Sequence, residues 1–367
     1  MTDTLTPKVE ENTVLRFTRK GKVKRPKKER RRLKRHIPEL IKLEKLIYAH
    51  QGQLTVNIEH EVFLDDTCLP VYSLTLGRQQ RPAPTLFILG GVHGIERIGS
   101  QVNLAILHTL LERLTWDESL QALLEKIQII FLPILNTGGM YRNTRCNPNG
   151  VDLNRNAPIE SEDKINPLIG GHRISRRLPW YRGRPDSGLE AENQALVRLI
   201  ERQVTDQPFT LVLDIHSGFG FQDQIWFPYA YRREPMRDID QYLALKLLWD
   251  RNYPYHDYVF EPQALRYLTH GDLWDYFYKK LHHQPGVFMP LTLEMGSWRW
   301  IRKRPVQLFS YFGMFNPVVE HRQMRVLRRH LALFDFLLSA TANHANWLPA
   351  EVQKPDLRQM ALNLWYT

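Results

Sequence analysis

The sequence predicts an α/β fold, a single domain with a central mixed, largely parallel β-sheet flanked by helices. Three observations carry this: four short apolar runs, helical periodicities between them, and polar residues with chemical potential directly after each run. The runs are TLFIL at 85–89, IQIIFLPIL at 127–135, TLVLDI at 210–215 and VFMPLTL at 287–293. Runs that are apolar on both faces and rich in β-branched and aromatic residues read as strands covered by helices on both sides. Their alternation with helical patterns points to parallel pairing through crossover helices.

In chain order, residues 1–36 are polar and basic with almost nothing to bury, and are expected to form a disordered arm. Ile37, Leu40, Leu43 and Ile47 recur at helical spacing, predicting an amphipathic helix that ends near Gly52. A hairpin is expected from Leu54 to Leu76, and the proline-containing segment Arg78 to Pro84 separates it from the sheet. Helical patterns follow at Val102 to Leu114 and Glu190 to Gln203. Near the end, Leu327, Leu331, Phe334 and Leu338 form one face of a further helix. The expected division is an arm at 1–36, a catalytic domain at 37–345 and a C-terminal extension at 346–367.

Composition limits the function classes. Of 367 residues, 43% are hydrophobic and 24% charged, an ordinary globular mix that excludes wholesale disorder or a membrane-embedded chain. No apolar run is long enough to span a bilayer. Cys68 and Cys146 are too few for a disulfide framework and lack the spacing of a cysteine-ligated zinc module, so reduced thiols in a cytoplasm are expected. The arm also lacks the apolar stretch of a secretory signal. The net charge of +11 is local: residues 19–35 hold twelve Lys or Arg and one acid, Glu29, so the remainder sums to zero. A polyanion contact is therefore expected, if anywhere, through residues 19–35.

The residues that follow the apolar runs are His93 and Glu96 after the first, Asn136 and a Gly/Asn/Arg-rich loop after the second, His216 after the third and Glu294 at the end of the fourth. Ligands bind beyond the carboxyl ends of strands in open α/β sheets, so these four places are expected to converge in one cleft. His93 and Glu96, three apart on a glycine-rich turn, suit zinc. His216 completes a His2Glu set of the kind that leaves a fourth position for water. Glu294 would then stand where a base is needed to take a proton from that water. The loop 140–156, MYRNTRCNPNGVDLNRN, offers Arg142, Arg145 and Arg155 with Asn154, whose donors suit a carboxylate or a developing oxyanion.

The set His93-x-x-Glu96, Arg145, GVDLNRN at 150–156, His216 and Glu294, in that order, resembles the zinc carboxypeptidases of the M14 metallopeptidase family. The segment EAENQAL at 190–196 is similar to the family's helix-opening segment, with Ala191 in place of its proline. The resemblance implies one Zn2+ per chain on His93, Glu96 and His216, with Glu294 as general base. It further implies that Arg145 stabilises the oxyanion, that Asn154 and Arg155 hold the substrate's terminal carboxylate, and that Tyr267 matches the family's mobile tyrosine. The insert from Ala157 to Trp180 is expected to border the cleft, and the wall near Trp274 to set the preferred side chain. The implied activity is a metallocarboxypeptidase acting on peptides. The alternatives are a zinc deacylase of N-acyl amino acids, whose related desuccinylase and aspartoacylase group shares the ligand pattern, or a nucleic-acid or acidic-surface binding protein acting through the arm. A pseudoenzyme would be expected to have lost a ligand or the base, and this sequence keeps them all.

Overall fold

The computed structural model describes residues 25–367. Eight strands form one mixed sheet: β1 (Thr55–Leu64), β2 (Thr67–Gly77), β3 (Thr85–Gly90), β4 (Gln128–Leu132), β5 (Phe209–Ser217), β6 (Gln224–Phe227), β7 (Val259–Pro262) and β8 (Val287–Met295). Their spatial order is β1-β2-β4-β3-β5-β8-β6-β7. The centre β4, β3, β5 and β8 is parallel, β1 and β2 form the expected hairpin, and β6 runs antiparallel to β8. The four apolar runs are thus the four central strands.

Their side chains divide between two cores because successive residues of a strand point to opposite faces. Leu86 and Ile88 of β3 join Ile129 and Phe131 of β4 and Leu211 and Leu213 of β5 on one face. Phe87 and Leu89 join Ile130, Leu132 and Val212 on the other. The first face is covered by the helices Pro38–Ala49, Arg97–Arg113, Ile239–Asn252 and Leu331–Ala342, the second by Ala191–Gln203 and Leu273–Leu281. No helix among the described residues is long and apolar enough to cross a membrane.

Three expectations need correction. The arm does not extend to residue 36: Lys27–His36 is a helix, and its Leu33 is completely buried in the main core with Ile37. Arg25 anchors its start, donating to Glu44 Oε1 at 2.7 Å and to the carbonyl of Cys68 at 2.7 Å. The charge density of this stretch hid one apolar residue and a buried ion pair that bind it to the body. Residues 1–24 of the expected arm, including part of the basic run, lie outside the described residues.

The segment 346–367 is no appendage either. Its helix Lys354–Trp365 buries Ala361 and Trp365 in the main core, and Trp365 Nε1 donates to the carbonyl of Phe260 at 2.9 Å. Finally, the helix expected through Leu327 and Leu338 is two helices, Glu320–Arg329 and Leu331–Ala342, divided at His330.

Candidate active site

β3, β5 and β8 are adjacent and parallel, so their carboxyl ends open on the same edge of the sheet. β3 leads into a turn that carries His93 and Glu96, β5 ends in His216-Ser217, and Glu294 lies beside His216 in register on β8. The turn after β3 requires glycine: a Cβ on Gly94 would stand 2.1 Å from the backbone of Gly139, and Gly91 has φ +65°. Glu96 occupies the N-cap position of the helix Arg97–Arg113 without capping it. Its carboxylate turns instead to the cleft, where Oε2 accepts from the Ser217 amide at 3.0 Å.

His93, Glu96 and His216 are all buried, with ligand atoms within 4.8 Å of one another. His93 Nδ1 is 2.9 Å from Glu96 Oε1, His216 Nδ1 is 3.2 Å from Glu96 Oε2, and the two Nδ1 atoms are 3.2 Å apart. Tetrahedral zinc with bonds of about 2.0–2.1 Å holds its donors roughly 3.3 Å apart, so this spacing fits the ion. The remaining ring nitrogens fit too. His93 Nε2 meets Asp152 Oδ1 at 3.1 Å and His216 Nε2 meets Asp214 Oδ2 at 2.8 Å. An Nε2–H donated to a carboxylate leaves Nδ1 as a lone pair aimed at the common centre. Burial alone would raise the Glu96 pKa, but the neighbouring imidazoles of His93 and His216 hold it below the usual carboxylate range.

Glu294 faces this group with the opposite electrostatics. Burial, reinforced by the charge of Glu96 and opposed by His216 and Arg145, pushes its pKa up to about 8. The Phe219 amide donates to its Oε1 at 3.0 Å and fixes its direction. Arg145 spans the gap to the metal-ligand group: Nε donates to Asp152 Oδ2 at 2.8 Å and Nη1 to Glu96 Oε1 at 3.0 Å. Burial would lower its pKa, but Asp152 and Glu96 outweigh this and keep it charged.

One cavity of about 440 Å³ contains the ligand trio, Glu294, Arg145, Asn154, Arg155 and Tyr267. Arg155 is buried and donates to the carbonyls of Asn154 at 2.9 Å and Ile169 at 3.4 Å. The Asn154 Oδ1 is buried without a partner among the described residues. Tyr267 stands half-buried between the rings of Phe219 and Trp226, and burial, opposed mainly by the charge of Arg155, raises its pKa. The insert borders the cavity as expected, through Ile169 and Trp180. Arg142 does not reach it: that side chain is exposed and binds the Pro148 carbonyl.

A family model for M14 peptidases, described as zinc carboxypeptidase, matches residues 55–303. The chain belongs to this family. Thrombin activatable fibrinolysis inhibitor superposes with a TM-score of 0.61 at 18% identity, covering 82% of this chain and 72% of that one. Carboxypeptidase A from Helicoverpa armigera gives 0.53 at 19%, covering 79% and 71%. At these identities the likeness concerns the fold. In sequence the chain is 28% identical over 170 residues to a protein named inactive metallocarboxypeptidase ECM14 of Ajellomyces capsulatus, covering 41% of this chain and 26% of that one. The match thus spans about a quarter of the fungal relative's length.

Within this M14 chain, sequence reasoning gave no role to Asp152 or Asp214. Asp152 lies inside the GVDLNRN string, and Asp214 is an acid inside an otherwise apolar strand, which is itself a signal of a buried, paired carboxylate. Trp274 was expected at the pocket wall. It is buried beneath β5 instead, where its Nε1 donates to Asp214 Oδ2 at 2.8 Å, and Trp226 and Thr292 line the cavity. Asn136 also went unassigned: it caps the helix Thr137–Arg142 and donates to the carbonyls of Val92 and Arg145, tying the turn of His93 to the loop of Arg145.

Proposed function

We propose that this M14 chain is a zinc-dependent metallocarboxypeptidase that hydrolyses the last peptide or amide bond of a substrate with a free terminal carboxylate. The observation that carries the reading is that a buried arginine, Arg155, shares one cavity with three convergent metal donors and the carboxyl group of Glu294. Arg155 and the Asn154 side chain bind the terminal carboxylate, a charge-assisted pairing that orients the chain end. Zinc on His93, Glu96 and His216, about one per chain, would supply a Lewis acid at the scissile carbonyl and lower the pKa of water beside it. Glu294 accepts the proton of the attacking water and returns it to the leaving amine. Arg145, rigidly held by Asp152, supplies a fixed positive charge for the oxygen that becomes negative. Tyr267 closes the cavity over the bound residue.

The fungal relative's printed name calls that protein inactive. Activity of this chain is supported by its own residues, since donors, base and arginines are all kept. With Cys68 and Cys146 free of any disulfide, a cytoplasmic setting is part of the proposal. Incubation of zinc-loaded protein with free peptides and N-acyl amino acids tests the reading: release of single C-terminal residues supports it, and release of an acyl group from single amino acids alone would assign the deacylase reaction.

A further inference from the structure

Beside the cavity the chain builds a lip from the helix Trp298–Lys303, the turn Pro305–Phe309 and the helix Tyr311–Phe315. Between Gly296 and Val319 stand four basic residues, Arg299, Arg302, Lys303 and Arg304, and no Asp or Glu. Its outer surface is apolar as well as basic: Phe309 is 90% exposed, Val306 68% and Leu308 55%. The lip is braced from within. Buried Gln307 donates to the carbonyls of Gly313 at 2.9 Å and Asn316 at 3.1 Å. Asn316 in turn donates to the Ile95 carbonyl and accepts from the Ile98 amide, on either side of Glu96. Large apolar side chains held out on a firm support mark a surface that something covers.

The lip is continuous with the cavity. Trp298, Tyr311 and Phe315 line its wall, and Ser217 Oγ donates to the Phe315 carbonyl at 2.8 Å. These contacts lie on the Glu96 and Ser217 side of the metal-ligand group. Arg155 lines the same cavity, its backbone against Gly271 and its guanidinium on Ile169. A peptide with its carboxylate on Arg155 and its last carbonyl at the ligand trio can therefore reach the lip along the wall formed by Trp298 and Tyr311.

We propose that the lip docks the stretch of a polypeptide substrate just N-terminal to the scissile bond and selects stretches in which acidic side chains accompany apolar ones. The proposal rests on the carboxypeptidase reading above. Arg299 is already paired with Asp223 at 3.0 Å, which leaves Arg302, Lys303 and Arg304 exposed to attract acidic side chains, each exposed pair contributing modestly and losing strength with salt. Phe309, Val306 and Leu308 supply the apolar contact. An anionic bilayer would meet the same exposed tip, but only an extended chain also follows Trp298 and Tyr311 into the cavity.

The test uses zinc-loaded full-length protein and peptides with identical final residues whose upstream stretches combine Phe with Glu, Gln or Lys. At low salt the Glu peptide should exceed the Lys peptide about tenfold in kcat/KM, mainly through KM, and the ratio should shrink at high salt. The triple variant Arg302→Gln, Lys303→Gln, Arg304→Gln should lose this preference yet hydrolyse an N-acyl dipeptide as well as the parent does. Fluorescence anisotropy with a labelled acidic peptide ending in a D-residue reads binding without turnover. Binding that the triple variant loses, in a protein that cleaves nothing, would uphold the lip and refute the hydrolase. Equal affinity for the three peptides would overturn the proposal. So would sedimentation with anionic vesicles that the triple variant abolishes while peptide affinity stays intact.

Discussion

The Nδ1 atoms of His93 and His216 face each other across 3.2 Å, while each ring's Nε2 is engaged by a buried aspartate. With both Nε2–H groups donating outward, two lone pairs point at one centre beside Glu96, an arrangement stabilised by a cation between them. His93→Ala or His216→Ala should therefore abolish zinc retention, measured as metal per chain after dialysis. Asp214→Asn should retain the site but weaken zinc affinity by about 10–100-fold, read by competition with a chelator.

Glu294 serves the chemistry without holding the metal in this account. Glu294→Gln should leave zinc content and KM close to the parent values and lower kcat by about 10²–10⁴-fold, because the amide cannot accept a proton. Steady-state kinetics beside metal analysis check this, and a loss of zinc would move Glu294 into the ligand set.

The described part of the N-terminal basic segment, from Arg25 to His36, is part of the folded body. Removing the chain through His36 should destabilise the protein because Leu33 and Arg25 are packed on the body. Leu33→Ala alone should cost about 2–5 kcal/mol, as a fully buried leucine does, measured by denaturant unfolding.

His330, buried between the helices Glu320–Arg329 and Leu331–Ala342, meets the Tyr258 hydroxyl at 2.8 Å. Burial, opposed by Asp223 and aided by Arg329 and Arg299, pushes its pKa down to about 4 from the ordinary 6.5. Between these values the unfolded chain binds more protons than the folded one, so stability is lost as pH falls through the window, by up to roughly 3 kcal/mol. His330→Gln should flatten this acid-side decline in unfolding free energy measured across that range.

Much of this was legible in the sequence because period and position are local signals. TLFIL, TLVLDI and VFMPLTL read as buried strands, and the residues after them had to emerge at one sheet edge, which brought His93, Glu96, His216 and Glu294 together. What was illegible depends on contacts distant in sequence. Leu33 is a single apolar residue in a basic run, and only the core it enters shows that the run is folded. Trp274 reads as a pocket aromatic until Asp214, sixty residues away, takes its Nε1. The break at His330 leaves the apolar periodicity of the two helices intact, so spacing alone could not reveal it.

The most direct measurement is mass spectrometry of a mixed peptide library incubated with the zinc-loaded protein, each sequence present with a free and with an amidated C-terminus. The account predicts stepwise loss of single C-terminal residues from the free peptides, none from the amidated ones, and no cleavage by Glu294→Gln. Intact free peptides after incubation with the zinc-loaded parent, or equal trimming of free and amidated forms, would contradict it.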